Sequence, residues 1–339
     1  MNNLLPNFSH VYIENRARSF PLTETILNRF PHAIRVDIRH YKELFNRPRQ
    51  DYQLQKRCIK LILAVKQPPF LYPLTDVHQS SRNHSQYYTT PLLNCLYNCE
   101  YCFLQGLYPS ANMVAFVNQA AFFQATDHAI NKLSYQKEPM WLSVAYQTDL
   151  LAFESLIPFS QAWIEYATTR PEIILEIRTK SAFLAPLKTV SPPENVVLAW
   201  SLSPQEIVDQ MEHRTPALEK RLQAVQTALH LGWKVRLCID PIITIPRWKT
   251  VYGSFIDSLF KRISGEDIYD VVLGVFRMNR EFFHRIRKQK PKSPLYYYRY
   301  TEQNQLLTLP EPLREEVIQF LKERLKTYLR EGEGQLLGC

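Results

Sequence analysis

Three of the chain's six cysteines fall within eight residues, in the run CLYNCEYC, at Cys95, Cys99 and Cys102. Thiolates are soft ligands, and three this close can hold a zinc ion or an iron–sulfur cluster. A structural zinc wants a fourth ligand, usually close by. Here the next cysteine downstream is Cys238, and no His stands at finger-like spacing. A three-ligand set leaves one metal position open, which suits chemistry better than scaffolding. A disulfide reading of the same run is weak. MNNLLPNFSH lacks a charged region followed by an apolar core, and no apolar run of membrane-spanning length exists. The sequence therefore predicts a cytoplasmic protein, where thiols stay reduced.

The elements that would position these thiols form an α/β pattern. Six β-rich runs recur at roughly barrel spacing: YTTPLLN (88–94), WLSVAY (141–146), IILEIRT (173–179), VVLAWS (196–201), KVRLCIDPI (234–242) and VVLGVF (271–276). They are apolar on both faces, as buried parallel strands are. Helix-like stretches fill most gaps, for example PALEKRLQAVQTALHLG (216–232) with its Gly stop, while the short gap from Thr179 to Val196 leaves room only for a brief helix. Alternating strands and helices imply right-handed βαβ units, in a partial barrel or a doubly wound sheet. The chain divides into an N-terminal α/β segment (1–87), a barrel (88–280) and a C-terminal segment (281–339). The first contains a strand candidate, CIKLILAVK (58–66), and leads into a polar linker, TDVHQSSRNHSQ (75–86). The last holds a basic stretch and a helix (311–332) with an apolar stripe from Leu313 to Leu329. The cysteine loop follows PLLN, past a strand's C-terminal end, where parallel α/β sheets bind ligands.

With its aromatic residue before the last cysteine, C-x3-C-x2-C resembles the signature of radical S-adenosylmethionine enzymes. The resemblance implies a partial (βα)6 TIM-type barrel and a [4Fe–4S] cluster held by Cys95, Cys99 and Cys102. S-adenosylmethionine would bind at the fourth iron and be cleaved to a 5′-deoxyadenosyl radical. LLNCLYNCEYCFLQG, MVAFVN, ILEIRTK, VVLAWSLS and RTPALEKRL, in this order, are similar to the spore photoproduct lyase family. That family splits a methylene-bridged thymine dimer in DNA. Carried over residue by residue, Tyr101 would lie against the cofactor, Thr148 and Asp149 near its methionine end, Lys180 at its carboxylate, and Ser201 as a polar contact. A lone Lys or Asp at a strand end is also commonly a solvated loop residue.

Two positions depart from the family. Its hydrogen-donating cysteine after the second barrel strand is matched by Tyr146, and a tyrosine just after the last cluster cysteine is matched by Phe103. Tyr146 could itself relay a hydrogen atom. So could Cys238, which shares a strand face with Arg236 and Asp240 in VRLCIDPI and lends that face a polar lumen. A small buried hydrophobe is the commoner fate of a free cysteine. Cys58 and Cys339 have no assigned role.

Residues 277–300, RMNREFFHRIRKQKPKSPLYYYRY, carry eight Lys and Arg against one acid, or +7 of the chain's net +9. Cations track phosphates and aromatic faces stack on unpaired bases. The stretch therefore offers Arg285, Arg287, Lys288, Lys290, Tyr297 and Tyr298 as nucleic-acid contacts. The expected partners are DNA or RNA as substrate and an electron donor such as flavodoxin or ferredoxin. Two rivals remain: a radical enzyme acting on RNA or a small molecule, and a non-enzymatic zinc-containing nucleic-acid-binding protein.

Overall fold

Runs that are apolar on both faces have to be covered on both faces, and the chain meets this by curling them into an open sheet with helices outside. In the computed structural model, which describes residues 7–74, 85–133, 138–329 and 336–338, that sheet has eight strands among the described residues. Their spatial order is Leu336–Gly338, Asp270–Val275, Lys234–Ile242, Val196–Ser201, Ile173–Thr179, Met140–Ser143, Gln86–Thr89 and Leu71–Pro73. All neighbours pair in parallel except the edge strand Leu71–Pro73, which runs antiparallel to Gln86–Thr89. Five of the strands coincide with runs of the sequence and a sixth, Gln86–Thr89, takes in only the start of YTTPLLN; the sheet is the half-barrel expected of them. Val196–Ser201 and Asp270–Val275 are buried at every position.

One run divides. Gln86–Thr89 enters the half-barrel, but Leu92–Leu93 leaves it and pairs antiparallel with Met113–Phe116. Pro91 separates the two; it has no N–H and cannot continue a ladder. Its carbonyl instead accepts from Phe116 N at 3.0 Å. The cysteine loop therefore springs from an antiparallel strand of a second sheet, rather than from the end of a parallel barrel strand. That second sheet has the order Ile34–Ile38, His10–Glu14, Leu61–Ala64, Met113–Phe116, Leu92–Leu93. Leu61–Ala64 is the strand expected in CIKLILAVK.

The outer layer follows the amphipathic patterns. Leu218–His230 ends at Gly232, whose φ of +88° suits a residue without a Cβ. Between Thr179 and Val196 there is only the 3₁₀ turn Ala185–Lys188. The C-terminal helix covers Glu311–Lys326 and buries Val317, Leu321 and Leu325, with Phe320 edge-on to Trp248 at 5.4 Å. The linker expected at 75–86 lies outside the described residues from 75 to 84, as do Cys339 and residues 330–332 of the expected helix.

The basic stretch folds into a helix, Arg280–Gln289, capped by Asn279 through Glu281 N at 2.9 Å. It lies against the short helix Leu104–Leu107 that ends the cysteine loop. Contact is closest at Gly106, where a Cβ would overlap the Cα, Cβ and carbonyl of Phe282. Gly106→Ala should therefore destabilise the protein by about 1–3 kcal/mol, read as a lower denaturant midpoint. Gly253→Ala is the control. Its Cβ meets Phe320 Cζ at an ordinary 3.7 Å, and the helical site should gain up to about 1 kcal/mol.

Candidate active site

The cysteine loop is short and polar, so its backbone groups need partners from elsewhere. Remote segments supply them. Asn98–Cys99 pairs antiparallel with Glu212–His213, and Glu100 N donates to Met211 O at 2.7 Å. Lys56, buried in the N-terminal segment, donates to the carbonyls of Cys95 and of Tyr97, the latter at 2.8 Å. Gln105 Nε2 donates to Cys99 O at 2.6 Å, and Tyr296 OH to Glu100 O at 2.5 Å. Held extended, the loop alternates its faces. Cys95, Tyr97, Cys99 and Tyr101 face inward, while Asn98 and Glu100 face an outer cleft.

The inner face looks into a cavity of about 350 Å³ in the mouth of the half-barrel. Beside the thiols lies one charged group. Glu212 and Arg221, both with fully buried side chains, pair at 2.5 Å. Tyr101 OH donates to Glu212 Oε1, and Ser203 Oγ lies 3.1 Å from it. Burial alone would raise the Glu212 carboxyl, but Lys180 and Arg221 hold it below the usual carboxylate range. Lys180 places its ammonium 5.5 Å from the Tyr101 ring centre. Asp149 is buried and its pKa is raised by burial. Its carboxylate accepts from Thr179 Oγ1 and Lys180 N, each at 2.7 Å, and from Ala152 N at 3.0 Å. It thereby fixes the strand end that carries Lys180.

A second charged group lies deeper. Arg178 donates to Asp240 Oδ2 at 3.1 Å and to Ser201 Oγ at 3.2 Å, and Arg277 donates to Asp240 Oδ1 at 3.0 Å. Burial would push Asp240 up, but the guanidiniums of Arg277 and Arg178 hold it at about 2. Arg236 grips Asp270 at 2.6 and 2.7 Å and Glu176 at 2.6 Å, and lies over the Trp141 ring. Tyr146 packs between Tyr88, at 4.4 Å between ring centres, and Phe103, at 5.7 Å. Cys238 is buried beside Ala199 and Val272, and burial pushes its thiol up to about 11.

The cavity thus gathers Cys95, Cys99, Cys102, Tyr101, Tyr146, Thr148, Asp149, Lys180, Ser201 and Cys238 in one lining. Of the basic segment, only Arg277 lines it. Lys290 is buried in an ion pair with Glu100 at 2.9 Å, and Arg285 donates to Gly106 O, so both hold the loop in place. Arg287 and Lys288 are exposed, as are Tyr297 and Tyr298, with Arg287 over the Tyr297 ring at 5.5 Å. Sequence reading missed Lys56, Glu212, Arg221, Arg178 and Arg277. The last two carried a faint signal, since each follows a barrel strand's apolar run.

A half-barrel of parallel strands with a three-cysteine loop in its mouth is the architecture of radical S-adenosylmethionine enzymes, and this chain is of that class. More narrowly, the family model for spore photoproduct lyase matches residues 5–305, and the chain belongs to that family. It is 21% identical over 293 residues to the spore photoproduct lyase of Geobacillus sp. (strain Y412MC61), and 21% identical over 295 residues to that of Bacillus subtilis (strain 168). In both cases 84% of this chain and 83% of the relative are covered. Among solved structures, a cysteine-to-serine variant of spore photoproduct lyase superposes with a TM-score of 0.82 at 17% identity, covering 97% of each chain. Another variant, with bound AdoMet and a dinucleoside spore photoproduct, gives 0.81 at 17% identity over 97% of each chain.

Two outcomes are expected from the site's electrostatics. Asp240 sits at about 2 in the folded chain, against about 3.9 when unfolded. Between those values the unfolded state binds more protons, so this contribution to stability is complete above about pH 4 and is lost as pH falls toward 2. The stability gap between the native chain and Asp240→Asn should therefore narrow on acidification through that window, measured by thermal melts. Arg221→Met strands Glu212 as a buried charge and should cost about 3–5 kcal/mol, partly recovered by adding Glu212→Gln.

Proposed function

We propose that the chain uses Cys95, Cys99 and Cys102 to hold a [4Fe–4S] cluster, binds S-adenosylmethionine in the same cavity, and acts on a lesion in DNA. The observation that carries this reading is the convergence of three thiols, Lys180, Asp149, Ser201 and Tyr146 on one cavity. The donor chemistry fits. Burial pushes the Cys95 thiol up to about 12 and Cys99 higher still, so without a metal's positive charge both stay protonated. Thr148 Oγ1, in the same lining, is buried with no hydrogen-bond partner, which suits a polar group of a bound cofactor. When bound, the cluster and S-adenosylmethionine together would supply a 5′-deoxyadenosyl radical.

The chain's own residues do the rest. Lys180 would meet the cofactor carboxylate as a charge-assisted partner, its backbone fixed by Asp149. Asp149 already accepts three hydrogen bonds and has room for one more, from the cofactor's ammonium. Tyr101 would pack against the cofactor, oriented by Glu212. Tyr146, at the family's hydrogen-donor position, would give its phenolic hydrogen to the substrate radical, with Tyr88 beside it. Cys238 is the alternative donor, from deeper in the cavity. The exposed cations Arg287 and Lys288 and the rings of Tyr297 and Tyr298 would contact the nucleic acid outside. The division into segments 1–87, 88–280 and 281–339 serves as a working organisation of the chain, with Leu71–Pro73 and Leu336–Gly338 crossing into the half-barrel sheet and Leu92–Leu93 and Met113–Phe116 into the N-terminal one.

A second reading is favoured by Tyr146 and Phe103 standing at the two hydrogen-transfer positions: the same radical site serving another substrate, RNA or a small molecule. One assay separates them. Anaerobically reconstituted, reduced protein is given S-adenosylmethionine and a spore-photoproduct oligonucleotide, and thymine and 5′-deoxyadenosine are quantified. Restored thymine is expected, with Tyr146→Phe altering the product distribution while cofactor cleavage persists. Cofactor cleavage without thymine would point to the other substrate class. Zinc in place of iron and sulfide in the purified protein would remove the enzyme reading altogether.

A further inference from the structure

The cofactor reading uses the thiols, Lys180 and Asp149, and leaves the deeper floor of the same cavity without a duty. That floor is built of Arg178, Asp240 and Arg277, with Arg236, Glu176 and Asp270 beside them. Ions that only tied strands together could lie wholly inside the wall. These do not. Arg178, Asp240 and Arg277 all line the cavity, and the Arg178 side chain is 33% exposed.

The hydrogen-bonding capacity of the floor is only part used. Arg178 donates from Nε to Ser201 Oγ and from Nη2 to Asp240, which leaves the N–H groups of Nη1 with no acceptor among the described residues. Each carboxylate oxygen of Asp240 accepts one guanidinium bond, from Arg277 at 3.0 Å and from Arg178 at 3.1 Å, and keeps a further lone pair. Against the pull of burial, those two guanidiniums hold Asp240 at about 2, so it is ionised at neutral pH and can only accept. A guanidinium can only donate. The floor therefore offers donors beside a fixed acceptor.

Charge decides which ligand suits it. Three arginines stand against three carboxylates, so the group sums to zero. A phosphate drawn to Arg178 would also meet the Asp240 carboxylate, and a cation drawn to Asp240 would meet both arginines. Like charges brought together select against each. A neutral ligand with alternating acceptors and donor meets no such penalty. The imide edge of thymine or uracil has that order: carbonyl, ring N–H, carbonyl. Cytosine carries an amino group and a bare ring nitrogen instead.

We propose that Arg178 and Asp240 form a subsite that reads the imide edge of a pyrimidine base and sets the base specificity of this cavity. Arg178 donates to a ring carbonyl, and Asp240 accepts from the ring N–H in a charge-assisted bond. A base taken out of its stack exposes this edge to such groups. The inference rests on the function proposed above and names the part of the substrate that the site recognises. Tyr146 lies within electrostatic reach of the same floor. Burial raises its phenol most, and Arg277, Arg178 and Asp240 each act on it as well.

The test is equilibrium dialysis of three labelled dinucleotides against the whole chain, anaerobically reconstituted and left unreduced so that no turnover intrudes. The probes are TpT, TpT methylated at both N3 positions, and the deoxycytidine dinucleotide. All share one phosphate, so a preference among them belongs to the bases. TpT should bind about tenfold or more tighter than either of the others. Asp240→Asn, whose amide can donate as well as accept, should bring the three toward parity. Arg178→Gln, which leaves Asp240 paired with Arg277, should weaken TpT and its methylated form by the same factor, because both keep their carbonyls. Equal binding of the three probes by the parent, or no binding of TpT, would overturn the subsite. So would a preference for TpT undiminished in Asp240→Asn, or TpT binding unchanged in Arg178→Gln. Thymine restored in the assay above, with no base preference here, would sink this inference and leave the functional reading standing. A parent without iron–sulfur absorbance fails that reading at the first spectrum, while the dialysis still reads the subsite.

Discussion

The Glu212–Arg221 pair is the interaction on which the site's geometry rests. Both side chains are fully withdrawn from water, so each charge is tolerable only while the other is in place. Arg221 spends its remaining donors on Pro216 O at 2.8 Å, Thr215 Oγ1 at 2.6 Å and Ser201 O at 3.3 Å. Glu212 receives Tyr101 and Ser203 and forms the two-residue ladder with the cysteine loop. One buried pair therefore ties the end of a barrel strand, the start of the helix Leu218–His230 and the metal-loop candidate to a common point. The cost of desolvating two ions is offset only because nearly every lone pair and N–H is used.

The cavity is organised as two charged groups with different duties. The one beside the thiols is built of groups already engaged with the loop, and it fixes where Lys180 and Tyr101 stand. The deeper one is a balanced set of three arginines and three acids, held by short ion pairs along neighbouring strands. A lumen paved with ions that satisfy one another stays polar without a net field. Such a floor can present guanidinium N–H groups to a ligand while changing shape little.

Much of the half-barrel was legible because its strands announce themselves: six apolar runs, buried on both faces, at regular intervals. The split of YTTPLLN was not, because the pattern of apolar residues runs straight through Pro91 and only the missing N–H ends the ladder. The three cysteines stood out by type and spacing, whereas Thr148, Asp149, Lys180 and Ser201 were named only through the family resemblance; the fold brings all of them to one lining. Lys56, Glu212 and Arg221 were not. Lys56 bonds the loop 39 and 41 residues away, and Glu212 receives Tyr101 across 111. In sequence each looks like an ordinary charged residue on an amphipathic stretch. Lys290 shows the converse: composition placed it in a basic surface, while Glu100 draws it into the interior.

The alternation along residues 95–101 has a consequence for how this loop can change. Its two faces are read at a period of two, so the inner and outer duties are written on interleaved positions of one strand. A substitution can alter one face and spare the other. Inserting or deleting a single residue between Cys95 and Cys99 cannot, because it would exchange them, turning a thiol outward and an amide or carboxylate inward. Between Cys95 and Cys99 the loop is thus rigid in length, and the spacing of those two cysteines is a register as much as a motif; Cys102 rejoins the same lining past the turn at residues 100–101.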